Sequence, residues 1–146
     1  MKIISKVLLL TLVTFAFSIS VFSQCKSFTK KKCMPQVLPY IHNGQLNSIN
    51  IFPGESASLT VPFYSGQDYR IVVCGHKILG DVYFEVRNSD EELIYSSKGK
   101  SSTWDFNVAS SQELLIDVIA PPDESGDSEE GMAQSGCMAL LVAFRQ

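Results

Sequence analysis

Histidine is scarce in this chain: the 146 residues hold only His42 and His76. A serine–histidine–acid set would have to recruit one of these two. Neither lies in a Gly-x-Ser-x-Gly or His-Glu-x-x-His setting, and both fall beside turn signals, Asn43-Gly44 and Gly75. Glycine loops of the phosphate-cradling kind are missing, as are Asn-x-Ser/Thr sequons. Basic charge is also in short supply, with twelve Lys and Arg against fifteen Asp and Glu, a net −3. That balance excludes nucleic acid as a partner, because phosphate neutralisation needs a cationic face. Long apolar runs are confined to the first residues, and no sustained 3.6-residue period follows them.

Those first residues read as an export signal. Lys2 and Lys6 precede the apolar stretch Val7 to Phe17, and Val21 and Ser23 occupy the −3 and −1 positions of a cleavage site that would release Gln24. Residues 1–23 are therefore assigned as a signal peptide, which places the mature chain in the periplasm or outside the cell. The apolar stretch is short for a membrane span, and no second candidate follows, so no transmembrane segment is expected in the mature chain. Cys25 invites comparison with an acylated lipoprotein cysteine, but Phe22-Ser23-Gln24 lacks the small residue expected before it. Loss of Lys2 and Lys6 leaves ten basic against fifteen acidic groups on 123 residues, enough for one domain.

The mature part keeps four cysteines, Cys25, Cys33, Cys74 and Cys137, without a Cys-x-x-Cys pair. In an exported domain they read as two disulfides rather than as a zinc site. Strand parity puts Cys74 and Cys137 on the less bulky faces of their strands, which predicts a Cys74–Cys137 bridge and a local Cys25–Cys33 loop within residues 24–43. Pro35 and Pro39 limit any helix around them to about one turn. The small Ala139 and Ala143 leave room for Met34 to Ile41 to pack outside the sheet.

Residues 44–146 carry a period of two. Ala57, Leu59, Val61 and Phe63 alternate with polar neighbours. So do Val82, Phe84 and Val86, then Trp104, Phe106 and Val108, then Leu114, Ile116 and Val118. Tyr69, Ile71 and Val73 form one face of another run, and Met138, Leu140, Val142 and Phe144 close the series. Breakers such as Pro53-Gly54, Ser65-Gly66 and Lys98-Gly99-Lys100 separate about eight short strands. The pattern predicts an all-β fold, an antiparallel, jelly-roll-like sandwich with an irregular N-terminal segment. Pro62 cannot donate to a ladder, which puts its strand at an edge or a bulge.

Candidate sites are few. Asp123, Glu124, Asp127, Glu129 and Glu130 crowd eight positions beside Gly126 and Gly131, the raw material of a calcium site. Their spacing departs from the Asp-x-Asp-x-Asp-Gly loop, and without an ion five neighbouring carboxylates favour a solvated hairpin loop. Tyr83, exposed beside Glu85 and Arg87, offers a small-ligand or glycan surface; Trp104 has core parity instead. Glu85 and Asp117 lie on polar strand faces and would be the carboxylates of a small secreted hydrolase, if there is one.

Gly66 to Val73, Gly80 to Val86 and Asp90 to Ser96, with Leu114 to Val118 and Met138 to Phe144 as closing strands, resemble the bacterial pre-peptidase C-terminal domain over residues 44–146. That resemblance implies a small sandwich with an accessory binding or secretion role rather than catalysis. The chain departs from the family at Tyr83, where an acid is usual, and at Ser111 to Leu114, which replaces the Gly-Thr-Tyr-Tyr signature. The expectation is a secreted, non-catalytic binding or structural module, with a protein or glycan ligand and no obligatory cofactor. The hydrolase is the alternative. An enzyme inhibitor is a third reading, set aside because it needs a rigid exposed loop and the loop from 121 to 135 reads as flexible.

Overall fold

A computed structural model of the protein describes residues 21–123 and 134–146. Most of the assigned signal peptide, together with Glu124, Asp127, Glu129 and Glu130, lies outside them. Among the described residues the chain forms nine strands in two antiparallel sheets.

The first sheet runs β1 (Ile41–His42), β9 (Gly136–Arg145), β4 (Asp68–Gly75), β7 (Thr103–Asn107), with β2 (Asn47–Ile51) also pairing β9. The second runs β3 (Ser56–Phe63), β8 (Gln112–Ile119), β5 (Tyr83–Arg87), β6 (Leu93–Ser96). The expected sandwich is present, with one more strand than the turn signals suggested: β1 has only two residues, too few for a period. Pro62 lies on β3, an edge strand, as its missing N–H requires.

Strand parity governs the core. Tyr69, Ile71 and Val73 of β4 and Met138, Leu140 and Val142 of β9 meet Phe84 and Val86 of β5 and Leu114, Ile116 and Val118 of β8. Trp104 packs at the margin of this core, its ring stacked between Tyr95 and Phe106 at 4.2 and 4.1 Å.

A second, smaller core lies on the outer face of the first sheet. Cys33, Val37 and Tyr40 cover Val72, Cys74, Ala139, Leu141 and Ala143, so the N-terminal segment packs where the small residues leave space. That segment is helical rather than irregular. It comprises α1 (Val21–Phe28), a π turn (Thr29–Cys33) and a 3₁₀ turn (Met34–Val37) with Pro35 in its first turn. The prolines act only from 35 onward; nothing before them breaks a helix.

The sulfur pairing also differs from expectation. Cys25 is bonded to Cys137, with Cα atoms 5.2 Å apart, while Cys33 and Cys74 are buried thiols. Neither Cys74–Cys137 nor Cys25–Cys33 forms. Cys74 stands opposite Ala139, and Cys137 lies two residues along β9, opposite Asn50. Diagonal neighbours of that kind are about 7–8 Å apart, beyond the usual reach of a disulfide. Eight helical steps separate Cys25 from Cys33 by about 12 Å. Helical spacing instead puts Cys25, Thr29 and Cys33 on one buried face, with the Thr29 hydroxyl donating to the Cys25 carbonyl at 2.7 Å. With its sulfur engaged in the disulfide, Cys25 has none left for a lipid thioether.

Candidate functional site

Concavity gathers at one end of the sandwich, where β4 ends, β5 begins and the β6–β7 connection turns. A cleft of about 890 Å³ is walled by Phe28, Lys32 and Gln36 of the N-terminal segment and by Gly75 to Lys77, Gly80 to Tyr83, and Gly99 and Lys100. A neighbouring lobe of about 570 Å³ shares Lys77, Gly80, Asp81, Tyr83 and Gly99, and adds Lys98 and Pro121 to Asp123. Lys32, Lys77, Lys98 and Lys100 therefore line one groove together with Asp81 and Asp123. On a chain of net −3, this is a local concentration of positive charge.

The turn that presents Lys98 and Lys100 is tied at both ends. Ser97 is buried; its Oγ accepts from the Phe84 N–H at 2.9 Å, and its own N–H donates to the Phe84 carbonyl at 2.9 Å. The Lys100 N–H closes the turn onto the Ser97 carbonyl at 2.8 Å, with Gly99 at φ 70°. The Val73 N–H donates to the Ser102 carbonyl at 2.9 Å. Each lysine lies over an aromatic ring, Lys98 Nζ 5.4 Å from the Tyr83 centroid and Lys100 Nζ 5.0 Å from that of Tyr95. A second tied turn lies at the opposite end of the sandwich. There the Tyr69 hydroxyl accepts from the Tyr64 N–H at 2.8 Å and bonds Gln67 Oε1 at 3.0 Å, leaving the Tyr64 ring exposed.

The floor of the larger cleft includes Cys74. Its sulfur accepts from the Cys33 thiol and from Gln36 Nε2, the latter at 3.4 Å. The Cys33 hydrogen bond holds the Cys74 thiol below the ordinary cysteine value against the opposing effect of burial. Cys33, as the donor to a neighbouring sulfur and itself buried, is pushed far upward.

Tyr83, Glu85 and Arg87 share the half-buried face of β5, alternating with the buried Phe84 and Val86. Tyr83 lines the groove, with Lys98 over its ring. Glu85 and Arg87 are on the outer face of the second sheet, with Asp117 directly opposite Glu85. Arg87 bridges the two acids at 2.7 and 3.3 Å, and Ser58 Oγ donates to Asp117 at 2.5 Å. Arg87 thus ties Glu85 and Asp117, the two candidate carboxylates, into one ion network. Of the proposed calcium ligands only Asp123 is described, and no cluster of metal-ligating side chains occurs among the described residues. His42 is engaged locally: its Nε2 lies 3.0 Å from the Gln45 carbonyl, and its Nδ1 accepts from the Gly44 N–H. His76 lines the cleft with its ring 6.1 Å from that of Phe28. Among the described residues, no helix is long and apolar enough to cross a membrane.

Sequence pattern missed the lysines of the groove because they come from separate places in the chain. Lys98-Gly99-Lys100 reads in sequence as a turn signal, and its two cations flanking a glycine are the local mark of the groove.

No family model matches any part of the chain, and no curated protein matches it by sequence. Among solved structures, it resembles PliG of Aeromonas hydrophila, a periplasmic lysozyme inhibitor of g-type lysozyme. The TM-score is 0.50 at 14% identity, over 73% of this chain and 89% of that one. The likeness is one of fold.

Proposed function

We propose that the protein is an exported, non-catalytic binding module whose partner is another protein, and that this partner is a secreted enzyme of the lysozyme kind. The observation that carries the reading is the Ser97–Ser102 turn, which holds Lys98 and Lys100 at the mouth of a basic groove. A rigid, exposed, doubly anchored loop is what an inhibitor needs, since little ordering entropy is then lost on binding. Lysozyme-type cleavage depends on a pair of carboxylates in a cleft, to which cations at the mouth of a groove are complementary. The inhibitor reading thus gains the loop it needed, at a different place from residues 121–135. The assigned leader and the Cys25–Cys137 disulfide support an oxidising compartment. The accessory role implied by the pre-peptidase resemblance would also be non-catalytic. The hydrolase alternative is disfavoured by the Glu85–Arg87–Asp117 network.

The test is a cell-wall clearing assay and titration calorimetry of the mature protein against g-type lysozyme and two lysozymes of other types. Inhibition of at least one, weakened tenfold or more by Lys98→Glu with Lys100→Glu, is the expected result. Absence of binding to all three at tens of micromolar would refute the partner. Inhibition lost on Tyr64→Ala but kept in the lysine variant would move the contact to the opposite turn.

A further inference from the structure

We infer that Cys33 and Cys74 are the two halves of a second helix-to-sheet disulfide, formed after folding by thiol–disulfide exchange through the cleft. Cys33 ends the π turn on the same buried stripe as Cys25, and Cys74 lies on the outer face of β4 beneath it. Both sulfurs belong to one buried cluster, and Gln36, three residues beyond Cys33, donates to the Cys74 sulfur at 3.4 Å, so the turn that carries Cys33 is seated on Cys74. Formation of Cys25–Cys137 brings the helical segment onto the sheet and holds its other end there. The second pair is therefore presented at high effective concentration.

Access decides which sulfur reacts first. Cys33 is fully enclosed, whereas Cys74 lies on the cleft floor among Gln36, Lys32 and Lys77. The Cys74 thiolate, supported by hydrogen bonds from Cys33 and Gln36, is the attacking group. It attacks one sulfur of an external disulfide, such as that of oxidised glutathione or an exchange catalyst, and one thiolate leaves. Cys33 then attacks the Cys74 sulfur of the mixed disulfide, its proton passing to the departing sulfur, which leaves as the second thiol. The balance is two protein thiols oxidised and one external disulfide reduced to two thiols. The product would lock Phe28, Lys32 and Gln36, one wall of the groove, at both ends of its helical segment.

Trypsin makes the test direct, because Lys32, Arg70 and Lys77 place Cys33 in fragment 33–70 and Cys74 in fragment 71–77, apart from Cys25 and Cys137. Mature protein with the Cys25–Cys137 link in place is incubated with oxidised glutathione, alkylated and digested without reduction. Fragments 33–70 and 71–77 recovered as one linked species are expected. Recovery of both as alkylated thiols, or of either joined to the Cys25 or Cys137 fragment, would overturn the inference. The order of attack is read from single variants. Cys33→Ser should trap one glutathione on Cys74, and Cys74→Ser should leave Cys33 unmodified. Glutathione found on Cys33 in the second variant would refute the assigned order.

Discussion

Arg70 does more at the margin of the first sheet than its place in an alternating strand announces. Its Nε and one terminal nitrogen each meet an Asp105 oxygen at 2.6 Å. The other terminal nitrogen donates to the carbonyls of Leu38, at 2.5 Å, and Gln36, at 3.3 Å, and the guanidinium lies 4.5 Å from the Tyr40 ring centroid. One planar fork thus joins β4, β7 and the N-terminal segment, which a lysine cannot reproduce. Arg70→Lys is expected to cost about 2 kcal/mol, read as a lower urea midpoint at unchanged slope. The same contact sets a pH dependence. Arg70 holds the Asp105 carboxyl below its ordinary value of 3.8. A depressed carboxyl contributes stability above that value and loses it as pH falls through the lower folded value. Wild type should therefore lose more stability than Asp105→Asn between about pH 4 and pH 2. Asp105 is 43% exposed, so solvent screening keeps the difference under about 1 kcal/mol. Equal losses in both proteins would show that the pair contributes nothing. None of this was readable from the alternation of Arg70 with Tyr69 and Ile71, because an outward strand position does not say what will cover it.

Elements were legible in proportion to how far a local rule reaches. Period two assigned β4, β5, β8 and β9 to their core faces, since a pleated strand must send alternate side chains inward. Pro62 announced an edge, and Ala139 and Ala143 announced a cover. Which strands pair, and in what register, is non-local; the disulfide assignment failed on a two-residue offset along β9. The same limit applies to the groove, whose lysines are brought together by topology alone. One glycine shows how tightly that end is packed. A Cβ on Gly136, at the start of β9, would stand 2.7 Å from Ile78 Cγ2 and 3.0 Å from Leu79 Cγ. Both belong to the 3₁₀ turn Lys77–Leu79, which carries Lys77 into the groove. Gly136→Ala is expected to cost about 1–3 kcal/mol by overpacking. Displacement of this turn should also shift the amide resonances of Lys77 to Asp81 while leaving β3 and β6 unmoved. A variant as stable as wild type, with unshifted resonances, would show that the turn is loosely held.

At the scale of the molecule, two cores answer to different parts of the chain. The inter-sheet core takes no buried residue from before Ile51, whereas the outer core depends on Cys33, Val37 and Tyr40. The sandwich can therefore hold its fold when the N-terminal segment lifts, at the cost of exposing Val72, Leu141 and their neighbours. The Cys25–Cys137 bond opposes this, and with its ends 112 positions apart in sequence it also restrains most of the unfolded chain. In the chain-entropy account such a loop contributes about 4–5 kcal/mol. The two effects separate experimentally in Cys25→Ser with Cys137→Ser, with Cys33 and Cys74 kept reduced. Global stability should fall by an amount of that order, read from the denaturant midpoint. Native-state trypsin cleavage at Lys30 to Lys32 should accelerate well beyond what the lower global stability allows, because local lifting needs only the outer core to open. If cleavage at those lysines instead tracked global unfolding, the two cores would be one cooperative unit, and the helical segment would be as much a part of the sandwich as any strand.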